Sequence, residues 1–97
     1  MTDREAYIKK LEAQLEEADA RLKELEARKK AKEAEAQIEY DRQIESLNKN
    51  IDRTKKEMER LQKSGGEAWD SIKGGVESAW KDLTEAVKDA SDKLRNR

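Results

Sequence analysis

The sequence predicts an all-α protein: a long coiled-coil helix followed by a shorter amphipathic helix, assembled as an antiparallel dimeric helical bundle. Three observations point there. From Ile8 to Leu25, and again from Tyr40 to Leu61, apolar residues recur at alternating spacings of three and four, which is a heptad seam. The 97 residues include no proline and only four glycines, so few positions break a helix. Beyond residue 66 an 11-residue repeat takes over, and 11 residues close three turns at 3.67 residues each, so its apolar stripe barely drifts.

The first segment spans residues 1–63. Its opening run has Ile8, Leu15 and Leu22 at a positions and Leu11, Ala18 and Leu25 at d. A second run places Tyr40, Leu47, Thr54 and Leu61 at d and Ile44, Ile51 and Met58 at a. Ile8 and Ile44 lie 36 residues apart, one more than five heptads but ten turns of an ordinary helix. The stretch ARKKAKEAEAQ, residues 27–37, contains no Gly, Pro, Asn or Ser to make a turn. One continuous helix from about Asp3 to Lys63, roughly 90 Å long, is therefore expected. Thr2 and Glu5 form a capping box at its start. Gly65 and Gly66 provide its stop, within a Gly-rich turn at 64–66.

The seam specifies its own partner. In an antiparallel pairing, positions whose numbers sum to 69 face each other: Ile8 with Leu61, Leu11 with Met58, Leu22 with Leu47, Leu25 with Ile44. Lys29 would lie over Tyr40 and Lys32 beside Gln37. A parallel dimer would stack Lys29 and Lys32 on their own copies, at a Coulomb cost. The same pairing closes within one chain if it turns near Ala34–Glu35. That hairpin breaks the helical stretch EAEA, so a homo-oligomer, with a dimer favoured, is expected first. A monomeric helical hairpin plus third helix is the alternative.

Residues 67–97 carry both tryptophans. EAWDSIKGGVE aligns over SAWKDLTEAVK, and DASDKLRNR retains Ala90 and Leu94 from a third copy. Trp69, Ile72, Val76, Ala79, Trp80, Leu83, Val87, Ala90 and Leu94 then share one face about 100° wide. This amphipathic helix, about 28 residues long, would fold back along residues 34–63, with a bend or fraying at Gly74–Gly75, since each glycine costs about 1 kcal/mol in a helix interior.

The chemistry is bounded by composition. No cysteine and no histidine are present, which removes thiolate sites, the commonest metal ligand and the usual general base. Glu33 with Glu35, or Asp89 with Asp92, invites an acid–base reading, but a narrow helical seam offers no pocket to shift their pKa values. No catalytic, metal or cofactor residue is assigned, and no enzyme is expected. The balance of 22 basic against 23 acidic residues argues against nucleic acid, which needs surplus cations. Arg28, Lys29, Lys30 and Lys32 form the one basic run, flanked by acids and suited to bridging a partner helix. Alanines 6, 13, 20, 27 and 34 recur opposite the seam, as helix formers do at exposed positions. The charged N-terminal MTDREAYIKK lacks the apolar run of a signal peptide, so a cytoplasmic setting is expected.

A Glu/Lys/Ala-rich helical body, a Gly-rich break and then EAWDSIKGGVESAWKDLTEAV together resemble small bacterial coiled-coil proteins labelled stress-response proteins. The tail is also similar to the 11-residue amphipathic units of exchangeable apolipoproteins and, more loosely, of desiccation-related proteins. It departs from apolipoproteins in lacking proline punctuation and a basic interfacial belt. The first resemblance implies a bacterial cytoplasmic, non-enzymatic role and supplies no ligand. The functional expectation is thus a structural or interaction protein that self-associates through the seam. The alternatives are peripheral binding to a membrane surface through the Trp-bearing face, or a holdase-like chaperone whose tail detaches.

Overall fold

The computed structural model describes residues 2–95. It contains three helices, α1 (Asp3–Lys29), α2 (Ala34–Lys63) and α3 (Gly66–Lys93). They stack as an up–down–up bundle measuring 51 × 22 × 18 Å. Residues 1, 96 and 97, at the ends of the segments defined from sequence, lie outside the described residues.

The helix expected from Asp3 to Lys63 is interrupted. Residues 30–33 form a tight turn, so the chain closes the hairpin that the sequence offered as its alternative, a few residues ahead of Ala34–Glu35. Lacking Gly or Pro, the turn is made by satisfying the carbonyls that end α1. The Ala31 and Lys32 amides donate to the Arg28 and Lys29 carbonyls at 3.1 and 3.0 Å, while the Gln37 side-chain amide donates to the Lys32 and Lys29 carbonyls at 2.9 and 3.3 Å. Helix ends carry such orphan groups, and a local partner removes the cost of leaving them bare. Arg28 and Lys29 in the last turn also complement the helix dipole. With the turn in place, the one-residue offset between the two apolar runs loses its meaning, because the runs lie on separate helices.

At the other end Thr2 caps α1 as the sequence suggested, its hydroxyl accepting from the Glu5 amide at 3.2 Å. The break between α2 and α3 is shorter than expected: only Ser64 and Gly65 separate them, and Gly66 already opens α3. No glycine among the described residues takes a positive φ, so the stop uses no left-handed cap. The Ser64 hydroxyl instead donates to the Leu61 carbonyl at 2.6 Å. Nor does the tail fray at Gly74–Gly75, since α3 runs unbroken through both.

α2 is the central element. Five of the seven fully buried large side chains belong to it, namely Tyr40, Leu47, Ile51, Thr54 and Leu61, with Val76 and Leu83 of α3 opposite. Its backbone lies close to both neighbours, whereas α1 and α3 stand further apart. Small residues set the close approach. The Thr54 hydroxyl bonds the Asn50 carbonyl at 2.7 Å and faces the Ala79 carbonyl across the interface at 3.4 Å. A Cβ added at Gly75 would sit 2.9 Å from a carboxylate oxygen of Glu57. Arg53 and Asp82 pair across the same interface.

Candidate functional site: the seam and the groove between α1 and α3

The self-association seam is assembled inside the single chain. Leu11, Leu15, Leu25, Tyr40, Leu47, Ile51 and Leu61 are buried, with Ala18 and Thr54 beside them. Ile8, Leu22, Ile44 and Met58 are half-buried and pack against these clusters. Of the flanking pairs, Lys32 meets Gln37 as the sum-of-69 register expects, the Lys32 carbonyl accepting from the Gln37 side-chain amide at 2.9 Å. Lys29 pairs with Asp41, the residue next to Tyr40, and the Lys32 ammonium lies 5.9 Å from the Tyr40 ring centroid. Lys55 pairs with Asp19 at 3.2 Å across the α1–α2 interface, and Glu12 accepts from the Gln62 amide at 3.5 Å. Of the basic run, Arg28, Lys29 and Lys32 thus have partners within the chain, Arg28 bonding Glu24 at 3.8 Å. The five heptad-spaced alanines are exposed.

The tail face docks on the bundle. Val76, Ala79, Leu83, Ala90 and Leu94 are buried, and Trp69, Ile72, Trp80 and Val87 are half-buried against the core. Two contributors escaped the sequence reading. Ala86 is buried; it sits on the same stripe, three residues after Leu83, but its counterpart one repeat earlier is Gly75 and so carried no apolar signal. Tyr7, one residue before the seam, meets Trp69 edge-on with centroids 6.1 Å apart. Arg4 lies over the Trp69 ring at 4.8 Å and Lys73 over the Tyr7 ring at 4.8 Å, contacts worth about 0.5–1 kcal/mol each where exposed. Burial pushes the Tyr7 phenol above its ordinary value, and the nearby Glu77 carboxylate adds to the rise. This cluster pins the start of α3 to the start of α1.

Because α1 and α3 run parallel and stand apart, the space between them stays open as a groove lined by these two helices, with Leu47 of α2 reached at one end. It widens into a cavity of about 320 Å³ beside Trp80, Leu83 and Val87, and one of about 220 Å³ beside Leu25, Leu47 and Leu94. Among the described residues no group of three or more carboxylates is placed to hold a metal. Glu33, Glu35, Asp89 and Asp92 are all exposed. No helix among the described residues is long and apolar enough to cross a membrane. No protein-family model, curated protein or solved structure matches the chain significantly.

Proposed function

We propose that the protein is a non-enzymatic helical structural and interaction protein that self-associates by exchanging its hairpin. The observation that carries this is the turn at Lys30–Glu33: it consists only of Lys, Ala and Glu, all better suited to helix than to turn. Opening the turn lets residues 3–63 run on as one helix, and the apolar α1–α2 contacts of the closed chain re-form with a second copy. Such an exchange creates a dimer without a new interface. Closing within one chain avoids the association cost of about 4–15 kcal/mol, so the hairpin dominates in dilute solution and the dimer grows with concentration. The stress-related, cytoplasmic setting of the proposal rests on the resemblance carried by the helical body, the Gly-rich break and the Trp-bearing tail together.

Light scattering across a hundredfold concentration range tests self-association. The expected result is a rise from the 11.2 kDa of one chain towards twice that mass; an unchanged single-chain mass throughout overturns it.

A further inference from the structure

The groove between α1 and α3 has an asymmetry that the packing of the bundle does not use. Two of its cavities, of about 320 and 220 Å³, adjoin, both being lined by Arg21 and Val87. Together they reach the size of ordinary ligand pockets, about 300–1,000 Å³. The floor is apolar: Ala18 and Leu83 at one end, Leu25, Leu47 and Leu94 at the other. Cations concentrate at the second end, where Arg21, Arg28 and Arg95 surround the smaller cavity with Glu24 as its single acid. The wider cavity adds Lys88 and Glu17, leaving the groove with a surplus of two positive charges in a chain whose net charge is −1.

These arginines are weakly engaged. Arg21 has no ion pair among the described residues. Arg28 reaches Glu24 only at 3.8 Å, both groups more than half exposed, and Arg95, just past the end of α3, bonds Asp92 three residues earlier at 3.1 Å. Surface pairs of this kind hold little free energy and exchange readily for a better anion. A guanidinium is the side chain whose fork matches a carboxylate or phosphate edge. Trp80 lies about 20 Å from Lys93, the last residue of α3, at 1.5 Å per residue, so the apolar lining extends well beyond the cationic end.

We propose that this groove binds a free, single-chain anionic amphiphile, a long-chain carboxylate being the simplest case. The headgroup sits among Arg21, Arg28 and Arg95, and the chain lies along the floor towards Trp80. Burying an alkyl chain there removes its apolar surface from water, along with that of the half-buried Trp80 and Val87, and the arginines fix which end lies where.

The test uses the full chain carrying Trp69→Phe, so that Trp80 is its single tryptophan. Dodecanoate, kept below its micelle concentration, is titrated by calorimetry and by Trp80 emission. Expected are saturation at one dodecanoate per chain, a blue shift of Trp80, and at least tenfold weaker binding of dodecyltrimethylammonium. Arg28→Gln with Arg95→Gln, shown to be folded by circular dichroism, should lose at least tenfold in dodecanoate affinity. Vesicles of anionic phospholipid free of fatty acid should leave Trp80 unchanged. Equal binding of the two amphiphiles, an unaltered double variant, no saturable binding, or binding to vesicles without binding of dodecanoate would each overturn the proposal.

Discussion

Replacing Gly74 by alanine should stabilise the protein, and replacing Gly75 should stabilise it less. Both residues lie inside α3, where alanine is favoured over glycine by about 1 kcal/mol, through helix propensity and through the reduced freedom of the unfolded chain. At Gly74 an added Cβ meets nothing within 4 Å, so the whole gain should appear. At Gly75 the same Cβ would stand 2.9 Å from Glu57 Oε2. The carboxylate must swing aside and give up its 3.2 Å contact with Arg60. An exposed pair is worth about 0–1 kcal/mol, so the net at Gly75 falls between zero and the full gain. For a domain of this size 1 kcal/mol moves Tm by about 4–8 °C. Thermal and urea unfolding followed by circular dichroism at 222 nm measures both variants. A Gly74→Ala variant that melts below the parent would show that α3 does not run as a helix through this point, and the docking of Trp69 and Trp80 on one stripe would fall with it.

Leu61→Ala, at a fully buried position joining all three helices, should cost about 2–5 kcal/mol, a large part of the roughly 5–15 kcal/mol expected for a chain of this length; urea midpoints give the value. Gln37→Ala removes the amide that closes the α1 carbonyls and should cost about 1 kcal/mol, with a rise in dimer fraction by light scattering as the turn weakens. Stability should also fall as pH rises through 10. The Tyr7 phenol is raised above its ordinary value by burial and then by Glu77, so the folded chain keeps a proton that the unfolded chain releases in that range. Urea unfolding at pH 9 and pH 11 should show a smaller loss for Tyr7→Phe than for the parent.

Much of this architecture is written in the periodicity. The 3-4 spacing from Ile8 to Leu25 and from Tyr40 to Leu61 identifies the faces that meet, because a helix buries what its 3.6-residue period aligns. The 11-residue repeat likewise marks the face of α3. The turn at 30–33 was not legible, since it depends on Gln37 reaching back to carbonyls five and eight residues earlier, a tertiary effect that overrides the helix propensity of KAKE. The repeat did contain one further signal: Gly75 and Ala86 occupy equivalent positions, and both are small where α3 faces α2, while Gly74 is equivalent to the exposed Glu85. The groove was illegible for a different reason. Which arginines share a cavity depends on α1 lying parallel to α3, and that follows only once the chain has turned twice.

The central claim, that self-association occurs by opening the hairpin, is tested most directly by one spin label. The chain has no cysteine, so Glu33→Cys in the exposed turn gives a single labelling site. In the exchanged dimer the two copies of residue 33 lie near the midpoint of antiparallel helices whose axes are about 8–10 Å apart. Dipolar electron spin resonance on dimer isolated by size should then show a short distance, about 10–20 Å with the label arms included. A dimer with the labels more than about 30 Å apart, three times that spacing, would mean that closed hairpins associate through some other face, and would contradict exchange.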